Sequence, residues 1–170
     1  MKPLFDDAFA HHIWATLKLM DACTSLTDDQ LDTVVPGTYG SIIETWRHLV
    51  EADAWYLHRL SEGAIPAIDT VEMNLDQLRS VIEGHGGPWA DYVASNPDPD
   101  KPTAGKSDDG SVVYWPSSIR VAQVLHHGTD HRSQICTALT SLGIEPPGID
   151  VWDYGLAHGR MVESPTRATT

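Results

Sequence analysis

Four long segments carry the apolar spacing and the punctuation of α-helices, and little else in the chain competes with them. From about Phe5 to Leu26, Phe9, Ile13, Leu17, Met20 and Cys23 follow three- and four-residue steps and form one apolar stripe. The second segment runs from about Ser41 to Leu60. It opens on Ser41-Ile42-Ile43-Glu44, in which hydroxyl and carboxylate satisfy the free amides of a first turn. A third starts near Asn74 and continues toward Ser95, and Gly84, Gly86, Gly87 and Pro88 predict a break or kink within it. The fourth runs from Ser117 or Ser118 to Leu142, with Gly143 as its stop.

Between the third and fourth segments, residues 96–116 hold four prolines and an Asp-Gly pair at 109–110, which predicts a long loop or a small hairpin. Residues 150–162 are compatible with one more short helix. The expected fold is therefore all-α: a four-helix bundle with an irregular excursion before the fourth helix. One domain over 1–162 and a flexible tail over 163–170 fit a chain of 170 residues.

Charge and composition exclude several functions. The net charge of −13 repels phosphate backbones and anionic bilayers, so neither a nucleic-acid nor a membrane partner is expected. No apolar run approaches the roughly 20 residues of a membrane span. Met1–Asp7 lacks a basic and then apolar leader, and a cytoplasmic location is expected. Cys23 and Cys136 fit no CxxC pattern and read as two buried thiols. GxSxG, P-loop, GxGxxG, HExxH and ExxH motifs are all absent.

Nine histidines are the informative feature. His127 and His131 stand four apart on the fourth helix, so both imidazoles can reach one point, as a metal requires of a single helix. The bland alternative is a pair of core-edge histidines bonded to neighbours. His126 points nearly opposite, toward solvent. For a third ligand, spacing leaves His48, His58, His11, His12, His85 and His158 open. His48 lies off the main stripe of Trp46, Leu49, Val50, Leu57 and Leu60, on a side shared with Thr45, Ala52 and Trp55.

Several stretches, in order, resemble the DinB/YfiT-like family of bacterial metal-binding helical bundles. His11-His12-Ile13-Trp14-Ala15 is similar to its opening motif. Ser41 to Val50 resembles its second-helix motif. Leu125-His126-His127-Gly128-Thr129-Asp130-His131-Arg132-Ser133-Gln134-Ile135 is the best match, and Leu142 to Asp150 resembles its Leu-Gly-x-x-Pro-Pro ending. The chain departs from the family pattern at His126, at Ser133 and at Gly84-His85-Gly86-Gly87.

The resemblance implies His48, His127 and His131 as ligands of a divalent metal: zinc or nickel, with iron, cobalt or manganese as alternatives. It also implies activity on a small-molecule substrate by transfer of a low-molecular-weight thiol such as mycothiol or bacillithiol, and pairing into a homodimer. The alternatives are metal-dependent hydrolysis of a small ester or amide, and a non-catalytic metal-binding or stress-response dimer. Asp130, Asp53, Glu51 and Glu44 are all candidate general bases. Arg132 is read as a helix contact or a substrate anchor, and Trp14, Trp46, Trp55 and Tyr56 as mainly core.

Overall fold

The computed structural model describes residues 5–107 and 109–161, and the tail expected over 163–170 lies outside them. Six helices and one two-stranded sheet follow in the order α1 (Asp6–Cys23), α2 (Asp28–Leu31), α3 (Ile42–Leu60), α4 (Leu75–Ala94), β1 (Pro102–Lys106), β2 (Val112–Pro116), α5 (Ser117–Ser141) and α6 (Val151–Ala157). The fold is thus mostly helical, and the excursion before α5 is a hairpin rather than a bare loop. No described helix is long and apolar enough to cross a membrane.

Local chemistry sets the ends. Capping boxes start α3 at Ser41/Glu44, α4 at Asn74/Gln77 and α2 at Thr27/Gln30. The Thr27 cap explains why α1 stops at Cys23, three residues before the predicted end: the chain restarts there as a separate turn. At the end of α5, Gly143 takes φ +74°, and the amides of Ile144 and Gly143 donate to the carbonyls of Leu139 and Thr140.

The break predicted in the third segment does not occur. The chain keeps helical conformation through Gly84–Pro88. Two side chains flanking Pro88, His85 and Trp89, are buried and donate to the same carboxylate, Asp53. That tertiary anchor overrides the weak local propensity.

The four long helices pack in the cyclic order α1–α4–α3–α5. Two apolar layers fill the centre. One holds Leu19, Met20, Trp46, Leu49, Leu78, Ile82, Ile135 and Leu139; the other holds Phe9, Leu57, Leu60, Trp89, Val93 and Val124. Between them each long helix contributes polar residues to a buried layer: His12 from α1, Asp53 from α3, His85 from α4 and Arg132 from α5. In the hairpin, Pro102 pairs with Pro116 and Lys106 with Val112, and Gly110 turns the chain at φ +83°.

Candidate metal centre

His48 comes from α3 and His127 and His131 from α5, at the level of the polar layer. Nε2 of His127 lies 3.1 Å from Nε2 of His48 and 3.1 Å from Nε2 of His131. The three ligand atoms all fall within 4.8 Å of one another, the only such group of histidine, cysteine or acidic side chains among the described residues.

Neighbours hold the rings in this arrangement. The backbone N–H of Tyr39 donates to Gln134 Oε1, which fixes the amide's orientation. The same oxygen accepts from His131 Nδ1–H at 3.0 Å. A proton held on Nδ1 leaves Nε2 of the neutral ring as a bare lone pair facing the other two histidines. The Tyr39 ring stacks on His48 at 4.0 Å between centroids and 12° between planes. Tyr56 presents an edge to His127 from the other side, at 5.9 Å.

Electrostatics favour uncharged rings. Burial, then the neighbouring His131 and His48, pushes His127 down to about 4. Burial, then His131, also lowers His48. Neutral imidazoles are the metal-binding form.

The donor set fits a divalent ion. A cation held at about 2.1 Å by each nitrogen requires N···N separations of about 3.0–3.4 Å, and the two measured separations lie in that range. Hydrogen bonding alone serves this cluster poorly: the single Nε2 of His127 faces two other nitrogens and has either one proton or one lone pair to offer.

The remaining histidines are otherwise engaged. His11 Nε2–H donates to the carbonyl of Ile149, His58 Nδ1–H to that of Ile65 and His158 Nδ1–H to that of Tyr154. His126 is exposed and stands apart from the triad.

His12 and His85 belong to a feature that periodicity did not reveal. Asp53 is 3% exposed, and its oxygens accept from His12 Nε2–H at 2.9 Å, His85 Nδ1–H at 2.7 Å and Trp89 Nε1–H at 3.2 Å. Burial would raise the Asp53 carboxyl, but the hydrogen bonds from His12 and His85 outweigh it and hold the pKa well below the usual carboxylate range. Arg132 donates through Nη1 to His12 Nδ1 and to Thr16 Oγ1, and through Nη2 to Thr129 Oγ1. Because Nδ1 of His12 accepts from a guanidinium, its only proton sits on Nε2, toward Asp53.

Arg132 is therefore a buried contact between helices. Asp53 is fully committed, Glu44 caps α3, and Glu51 and Asp130 are exposed. No carboxylate hydrogen-bonds to the triad among the described residues. Both cysteines are free; burial pushes Cys23 up to about 11 and raises Cys136, so neither is an activated thiol. Trp46 is core as expected, whereas Trp14, Trp55 and Tyr56 are only half-buried.

No curated protein matches the chain. The family model described as DinB family matches residues 1–161, which include the histidine triad and its supporting residues.

Proposed function

The chain belongs to the DinB family, and on that premise we propose that it is a one-domain four-helix bundle over residues 1–162 whose His48, His127 and His131 bind one zinc or nickel ion for small-molecule chemistry. The observation that carries this reading is the convergence of three Nε2 atoms at 3.1 Å steps, with the outer nitrogen of His131 tied to Gln134. Three protein ligands leave open coordination positions, the arrangement of a reactive rather than a structural site.

We read the reaction as transfer of a low-molecular-weight thiol, such as mycothiol or bacillithiol, to an electrophile. A bound divalent ion supplies positive charge that lowers the pKa of a thiol brought to it. The protein's part is to keep His127 and His48 neutral, to orient the triad through Gln134 and Tyr39, and to flank it with Tyr39 and Tyr56. Two observations favour thiol transfer over hydrolysis. Among the described residues no carboxylate hydrogen-bonds to the triad to take a proton from water. A thiol needs less help, since its unperturbed pKa is only about 8.5. Burial raises the pKa of both of the chain's own thiols, which favours a thiol supplied from outside.

Metal content per chain, measured on tag-free wild type and on His127→Ala, tests the site. One ion per chain in wild type, lost in the variant, is expected, followed by thiol-dependent turnover in the loaded protein. Equal and negligible metal in both, even after incubation with zinc and nickel, overturns the reading.

A further inference from the structure

The helix pair that holds the triad also holds a second rung. His48 on α3 faces His127 on α5; seven residues further along α3 is Trp55, and seven residues earlier on α5 is Arg120. A step of seven returns to nearly the same side of a helix, about 10 Å along its axis. The second rung closes as the first does: the Arg120 guanidinium lies 4.7 Å from the Trp55 ring centroid. Tyr56 links the two, touching His127 at one end and lining, with Trp55, Trp115, Ile119, Arg120 and Gln123, a groove of about 320 Å³ at the other.

Arg120 is the unusual member. It is only 5% exposed. Its Nε donates to Thr103 Oγ1 and its Nη2 to the Ala104 carbonyl. Trp115 lies 5.6 Å from its guanidinium. Among the described residues no carboxylate pairs with it, and Arg59, over the same Trp55 ring at 5.3 Å, adds a second cation. A buried guanidinium without a counter-ion is costly, so an anion brought to it relieves that cost.

The hairpin is built around this group. Thr103 and Ala104 of β1 orient the guanidinium. Gly105 leaves the space that the Trp115 ring fills, since a Cβ there would overlap that ring. Neutral hydrogen bonds and two indoles hold the charge in place, with no carboxylate among the described residues paired to it, in a chain whose net charge of −13 otherwise repels anions.

We infer that the groove between α3, α5 and the hairpin binds the carboxylate of a small organic acid on Arg120, with its apolar body against Trp55, Tyr56 and Ile119 and its far end directed along α5 toward His127. This deepens the proposed function, because it names the substrate class of the same site. Planar two-point recognition of a carboxylate is what a fixed guanidinium does best.

The test uses 4-phenylbutyrate and its neutral amide as probes of metal-stripped protein, followed by tryptophan fluorescence and by calorimetry. The acid is expected to bind at least about tenfold more tightly than the amide, the gain of one charge-assisted hydrogen-bonded contact. Since Arg120 also anchors the hairpin, Gln123→Glu is the decisive variant: it adds a carboxylate to the groove without changing side-chain size. Gln123→Glu is expected to weaken the acid about tenfold and leave the amide unchanged. Equal binding of acid and amide, binding of neither, or indifference to Gln123→Glu overturns the inference. Metal stoichiometry judges the triad separately. Acid binding without a metal site leaves this groove standing and removes the reaction; a metal site without acid preference does the reverse.

Discussion

The backbone of Gly128 abuts the imidazole of His12, and a Cβ at position 128 would lie 2.5 Å from Cε1 and 2.7 Å from Nδ1 of that ring. The residue between the two α5 histidines is thus a slot for a side chain from α1. Gly128→Ala forces His12 or Arg132 to shift. It is expected to destabilise the fold by about 1–3 kcal/mol, measured by urea denaturation. An unchanged midpoint would refute the close approach.

Asp53 is the single acceptor of three buried donors. Asp53→Asn removes the charge that compensates Arg132 and turns an amide N–H toward groups that themselves donate. A loss of about 3–5 kcal/mol is expected, and Asp53→Asn should lose the near-ultraviolet circular dichroism of Trp89 before global unfolding.

The same carboxylate shapes acid stability. Its folded pKa lies below the unfolded value of 3.8, so the unfolded chain binds its proton first as pH falls. Its contribution is complete well above pH 3.8 and is lost progressively below it. Equilibrium unfolding at stepped pH should show a steep acid limb in wild type and a flatter one in Asp53→Asn.

His127 acts in a different window. It falls from 6.5 to about 4 on folding, so between those values the unfolded state holds a proton that the folded state rejects. Stability of the metal-free protein is therefore expected to fall as pH drops from about 6.5 to 4 and to change little from this group below 4. In the folded protein His127 takes up its proton only near pH 4, so from this group metal affinity should hold down to about pH 5 and weaken as pH approaches 4, where protonation competes with the ion. Titration of zinc binding to wild type and to His127→Ala against pH checks it, and a His127-dependent loss already complete at pH 6 would contradict it.

Gln134 touches no ion yet fixes which nitrogen of His131 is free. Gln134→Ala is expected to weaken metal binding about 10–100-fold while leaving the fold intact, measured by competition with a chelating dye. Loss of secondary structure in that variant would mean that the Tyr39–Gln134 contact supports the fold instead.

Much of this was legible in the sequence, and the gaps have physical causes. The caps at Ser41 and Asn74 and the stop at Gly143 are local chemistry, and the helix ends they mark match the spacing to within a residue. The His127/His131 pair follows from four-residue spacing. His48 was invisible to periodicity because it sits on the flank of α3 that meets α5, away from the stripe that meets the apolar layers. Asp53 did leave a signal: it stands four residues from both Leu49 and Leu57, so a charge falls on a core stripe. The persistence of α4 through Pro88 left none, since its cause is a carboxylate on another helix.

The buried chain of hydrogen bonds from Arg132 through His12 and Asp53 to His85 and Trp89 visits each long helix. Apolar side chains accept a neighbour that has slid by one turn, about 5.4 Å, with modest repacking. Donors and acceptors do not, because a shift of that size strands a charge or a ring nitrogen in a dry interior at several kcal/mol apiece. The polar layer therefore acts as a keyed joint. It selects one longitudinal alignment of the four helices out of several of similar apolar burial, and the level at which His48 meets His127 is the level at which the key fits.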